Sequence, residues 1–118
     1  MDRSFESLRV WQESRKFVND IYDMMENCRD YGFRDQIQRA AVSIMNNIAE
    51  GFESGSDAKF LNFLNISRGS CAEVRSMLYL CEDLGFCTKD ECEQLQSQLR
   101  KITSGIVKLS DSISKKDS

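Results

Sequence analysis

The sequence predicts an all-α protein, an antiparallel up-down-up-down four-helix bundle, and three observations carry that expectation. Proline is absent and glycine occurs only six times in 118 residues, so the turn punctuation of an all-β chain is missing. Apolar residues recur in alternating steps of three and four through four successive segments, the period of helices with one buried face. Short polar or glycine-bearing breaks separate those segments, so each helix should run back along the one before it. At 13.6 kDa the chain suits one domain, residues 1–118, with a single core.

The first helix is expected over about 7–28, carried by Leu8, Trp11, Val18, Ile21, Tyr22, Met25 and Cys28. Tyr31-Gly32 should end it, with Gly32 as a left-handed cap. The second, about 33–52, shows Ile37, Ala40, Ala41, Ile44, Ile48 and Phe52, and its small residues suggest a closely packed neighbour. A loop follows over Gly51 to Asp57, where Ser56 or Asp57 can cap the next helix by accepting from its free N–H groups. The third helix, about 58–84, runs through Phe60, Leu64, Ser67, Cys71, Val74, Leu78 and Cys81. Leu61, Phe63, Ile66, Met77 and Leu80 widen that stripe beyond what one interior can absorb, which marks an interface. Phe5, Phe52 and Phe60 are expected to be exposed aromatics that add to it. Gly85 should close the helix, and Thr88 with Glu91 forms a capping box for the fourth, about 89–114. Cys92, Leu95, Leu99, Ile102, Ile106, Leu109 and Ile113 keep the strictest alternation in the chain, and Lys115 to Ser118 should fray.

Composition narrows the chemistry. Histidine is absent and the five cysteines include no Cys-x-x-Cys pair, so common zinc sites and base-assisted Ser or Cys nucleophiles are not expected. No catalytic residue, metal ligand or cofactor is predicted. The cysteines read as reduced thiols used as small hydrophobes, with Cys71 and Cys81 on the buried face of the third helix. Net charge is −3, and no basic run exceeds the pairs Arg15-Lys16, Arg100-Lys101 and Lys115-Lys116, so the overall field disfavours nucleic acid. The charged N-terminus has no apolar core and no apolar run is long enough to span a bilayer, which reads as a soluble, cytoplasmic protein.

Two polar stretches stand out. Adjacent Asn46 and Asn47 interrupt the second helix, although both are poor helix formers, so at least one should have a tertiary partner. Ser67-Arg68-Gly69-Ser70 places a glycine in mid-helix at a cost of about 1 kcal/mol, which suggests close approach of the second helix through Ala40, Ala41 and Ser43. A groove facing another subunit or a ligand is the functional alternative, formed by Arg39, Asn47, Glu50, Arg68, Gly69, Ser70 and Glu73.

Three ordered motifs resemble a known family. They are Leu8-Arg9-Val10-Trp11-Gln12, Gln36-Ile37-x-Arg39-Ala40-Ala41-x-Ser43-Ile44 leading into Asn47-Ile48-Ala49-Glu50-Gly51, and Phe63-Leu64-x-Ile66-x-x-Gly69-Ser70 followed by Glu73. From Phe5 to about Leu109 the chain is similar to bacterial four-helix-bundle proteins encoded in intervening sequences of large-subunit ribosomal RNA genes. That resemblance implies a ring-shaped homopentamer. It also points to a related branch, the accessory variability proteins of diversity-generating retroelements, which bind RNA and a reverse transcriptase through a positive surface. Met45 stands where the family commonly has proline, and the acidic pI near 5.0 departs from the basic branch. The functional expectation is a self-associating scaffold or adaptor without enzymatic activity, its first partner being itself, with RNA or another protein as the further candidate. An RNA-binding module is the alternative, with Arg9, Arg34, Arg39 and Arg68 as phosphate contacts.

Overall fold

A computed structural model describes residues 4–116. A short 3₁₀ turn at Phe5–Ser7 precedes α1 (Arg9–Met24), α2 (Tyr31–Phe52), α3 (Asp57–Asp83) and α4 (Lys89–Lys116). The helices form an all-α bundle measuring 47 × 22 × 22 Å. Each packs on two neighbours, α1 on α2, α2 on α3, α3 on α4 and α4 on α1, with α2 and α3 sharing the most extensive contact. Ile21, Met25, Ile37, Ile44, Ile48, Leu64, Val74, Leu78 and Ile106 are fully buried along the common axis.

The predicted stripes of α2, α3 and α4 enter this core almost residue for residue. That of α1 needs correction. Its buried row is Val10, Ser14, Phe17 and Ile21, while Tyr22 is 45% exposed. Ser14 can occupy the row because its hydroxyl donates to Val10 O at 2.7 Å, leaving no unsatisfied polar atom there. The polar identity of that position hid the true register.

Helix ends follow local hydrogen bonding. Gly32 is not a left-handed cap: Asp30 caps α2 by accepting from Phe33 N at 3.1 Å, which places Tyr31 and Gly32 in the first helical turn and ends α1 early, at Met24. Ser56 caps α3 through Lys59 N. Gly85, at φ +74°, ends α3 in a left-handed turn, with Phe86 N bonded to Cys81 O and Gly85 N to Glu82 O, the paired bonds of a Schellman cap. Phe86, carried past that cap, packs its ring 5.2 Å from that of Phe33. Thr88 and Glu91 form the reciprocal capping box at 2.9 and 3.1 Å. Lys115 and Lys116 continue α4 rather than fraying, and residues 117–118 lie outside those described.

Cysteine chemistry departs from the expectation in one place. Cys28, Cys71 and Cys81 are buried free thiols, whereas Cys87 and Cys92 are joined in a disulfide. With Thr88 as the N-cap, these two cysteines hold the N′ and N4 positions on either side of it, where a hydrophobic staple brings side chains together. The expected exposed aromatics are instead half-buried and paired. Phe5 meets Trp11 edge-on at 5.0 Å, and Phe52 meets Phe60 at 5.9 Å.

Candidate interaction surface

The α2–α3 seam is built from small and hydroxylated residues that let two backbones approach. Ser67, fully buried, donates to Ile44 O at 2.7 Å across the seam. Ser43 and Ser70 share a hydrogen bond at 2.8 Å, and Asn47 donates to both the Ser43 carbonyl and its hydroxyl. Both Asn47 bonds stay within α2 and Asn46 is exposed, so among the described residues neither asparagine makes the direct tertiary hydrogen bond expected of the pair. Gln36 donates to Glu73 at 3.4 Å near the upper end of the seam.

The mid-helix glycine does not serve this approach. A methyl group at Gly69 would meet no atom within 4 Å, because that position points away from α2. The glycine at the point of closest approach is Gly51, where a Cβ would lie 2.8 Å from Phe63 Cβ and 2.9 Å from Phe60 Cδ1. A glycine at a helix end reads as a terminator in sequence, which concealed its packing role.

Of the seven residues expected to form a groove, three come together. Arg39, Ser70 and Glu73 line an open groove of about 560 Å³ between α2 and α3, with Asp35, Gln36 and Ser43. Asn47 supports its floor through Ser43. Arg68 and Gly69 lie instead in a separate depression with Arg75 and Thr103, on the α4 side of α3. Glu50 is exposed near the end of α2 and lines neither groove. Arg39 and Glu73 share the first groove without pairing: among the described residues the ion pairs are Arg9–Glu13 at 3.8 Å and Lys16–Asp20 at 2.9 Å, both on α1.

The four arginines considered for phosphate contact are dispersed. Arg9 opens α1 and Arg34 opens α2, at opposite ends of an antiparallel pair. The Arg34 guanidinium lies 4.8 Å from the ring of Tyr31, which is 60% exposed.

Beside the α2–α3 groove, α3 carries a second row that joins Ile66 and Leu80, two of the residues read from sequence as an interface-marking surplus, to the groove candidates Ser70 and Glu73. Ile66, Ser70, Glu73, Met77, Leu80 and Leu84 alternate steps of four and three, one position behind the core row of Ser67, Cys71, Val74, Leu78 and Cys81, with Met77 buried in the core and Ser70 half-buried in the α2–α3 seam. Ile66 is 46%, Leu80 43% and Leu84 51% exposed. No described helix is long and apolar enough to cross a membrane.

Comparison with known proteins agrees with this architecture. A protein of unknown function from the S23 ribosomal protein family of Bacteroides thetaiotaomicron VPI-5482 has a similar structure, with TM-score 0.80 and 25% identity over 86% of this chain and 97% of that one. No curated protein matches the chain. The family description names no reaction, and residues 6–108 match its model. The chain belongs to the 23S rRNA-intervening sequence protein family.

Proposed function

We propose that the protein is a self-associating scaffold or adaptor that works by presenting a helical surface rather than by catalysis, assembled as a homo-oligomer of the ring-shaped pentameric kind its family resemblance implies. The observation that carries this reading is the exposed row Ile66, Leu80 and Leu84 on α3, outside the bundle core. A bundle has one interior, and large aliphatics aligned on its outside remain in water unless a second surface covers them.

RNA binding is the second reading, and it rests on Tyr31 and Arg34. An exposed aromatic ring beneath a guanidinium offers a stacking platform of the sort used for unpaired bases. Light scattering at micromolar protein across salt concentrations, with and without structured ribosomal RNA fragments, separates the two. A stable multimer indifferent to RNA supports the scaffold. A complex that gains mass with RNA at low salt and loses it at high salt supports RNA binding. A monomer at every condition overturns self-association.

A further inference from the structure

We propose that the groove between α3 and α4 binds single-stranded RNA, with Arg68, Arg75 and Arg100 at the phosphates and Tyr79 stacked on a base. This rests on the RNA-binding reading above and gives it contacts other than Tyr31 and Arg34.

Charge is unevenly spread along the chain. Between Leu61 and Cys81 the acid of α3 is Glu73, which lines the α2–α3 groove instead, and α4 has no acid from Gln94 to Ser110. The same two stretches carry Arg68, Arg75, Arg100, Lys101 and Lys108, so this length of α3 and α4 is locally positive although the net charge is −3.

Arg68 and Arg75 are both exposed, two turns apart on α3 and roughly 10 Å along its axis. They line a depression of about 460 Å³ with Asn65, Gly69 and Thr103. Gln96 donates across the seam to Arg75 O at 3.2 Å, and Arg100, one turn further along α4, lines the adjoining depression with Tyr79. Because α3 and α4 run in opposite directions, Arg100 stands at a height between Arg75 and Arg68. Among the described residues none of the three guanidiniums makes an ion pair. Cations held near one another without an anion repel, and a strand that repeats its charge along a line relieves that repulsion.

Tyr79 lies one turn from Arg75 and is 63% exposed. A ring beside a guanidinium offers an unpaired base a face to stack on while its phosphate is held, whereas an acidic peptide would leave the ring unused. Glu82 and Glu93 line the groove beside Tyr79 and repel phosphates there, so the strand runs from Tyr79 toward Asn65. Gly69 fits the same reading. Glycine is disfavoured inside a helix, and among the described residues no neighbour requires it, since a Cβ would meet nothing within 4 Å. It leaves the backbone bare beside Arg68, where a sugar-phosphate chain can lie close.

The test is fluorescence anisotropy across salt concentrations with a labelled single-stranded RNA of about ten nucleotides, a length such grooves accommodate, on variants whose fold is checked by circular dichroism. Arg68→Gln, Arg75→Gln and Arg100→Gln should each flatten the dependence of log affinity on log salt by about 0.7, the share of one phosphate contact on a single strand. Tyr79→Ala should weaken binding roughly tenfold without changing that slope, and Gly69→Leu should weaken it by filling the groove while helical content is kept. Arg39→Gln removes the same charge from the α2–α3 face and should leave the slope as it is. An equal effect from Arg39→Gln would overturn the inference, because diffuse attraction would then account for the binding. Binding abolished by Tyr31→Ala or Arg34→Gln and untouched by the groove variants would also overturn it, while leaving RNA binding standing. Displacement of the RNA by poly-glutamate of equal charge would assign the groove to acidic protein segments instead. A parent protein that binds no RNA at any salt concentration would overturn the reading and the inference together.

Discussion

Gly51 and Gly69 show how differently one residue type can act at two positions of a bundle. At Gly51 a methyl group would press on Phe63 and Phe60 at under 3 Å, so Gly51→Ala should destabilise the protein by roughly 1–3 kcal/mol through overpacking. Gly69 sits inside α3 with open space beyond it, so Gly69→Ala should stabilise by about 1 kcal/mol through helix propensity. Urea denaturation of the two variants checks both signs. Cysteine reactivity also belongs to this scale. Burial pushes the Cys71 thiol up to about 11, with a hydrogen bond from Thr103 partly opposing it, and burial together with neighbouring Cys28 does the same to Cys81. Both should resist alkylation at pH 8 in the fold and react once it is unfolded. Because these thiols titrate higher in the fold than at their ordinary 9.0, the stability tied to their neutral forms is complete below that value. It is lost as pH rises toward about 11, a decline that alkaline denaturation measurements would reveal.

Among the helices, α3 and α4 depend on different devices. The α2–α3 contact is held close by Ser67, whose hydroxyl bonds Ile44 O in the interior. Ser67→Ala keeps the small volume but removes that bond, and a loss of about 1 kcal/mol is expected. A larger Ser67→Leu change should cost more by forcing the helices apart. The start of α4 relies on the Thr88–Glu91 box. The Thr88 backbone N–H, and then its hydroxyl, hold the Glu91 carboxyl below the usual carboxylate range. That contribution is present at neutral pH and lost as pH falls through the lowered value. Thr88→Ala should lower stability by about 1 kcal/mol, measurable by thermal melting at neutral pH.

For the molecule as a whole, the cyclic packing of four helices leaves Ile66, Leu80 and Leu84 exposed on α3 beside its buried row. These exposed residues carry the prediction of self-association. Replacing Leu80 by Glu, a change outside the core, should reduce the mass seen by light scattering while leaving helical content intact. A mass unaffected by that substitution would place the contact between copies elsewhere. Net charge of −3 is too small to prevent like copies from meeting.

Four helices, their order and most of their buried rows could be read from sequence, because a three-and-four alternation has a direct meaning for a rod with 3.6 residues per turn. Capping chemistry was equally legible at Ser56, Gly85, Thr88 and Glu91, where donor and acceptor lie within one turn of each other. The α1 register was not, because Ser14 is buried only by virtue of a bond to its own helix and an apolar pattern passes over it. Nor was the competition between Asp30 and Gly32, since both are plausible terminators and only the path of the chain favours one. The candidate surface divides in the same way. Its motif residues stand out in sequence, but their sorting does not, since α3 turns Ser70 and Glu73 toward α2 while Arg68 and Gly69 face the depression on the α4 side. Periodicity fixes which side of a helix is apolar, whereas the neighbour that each remaining side meets depends on how the whole bundle closes.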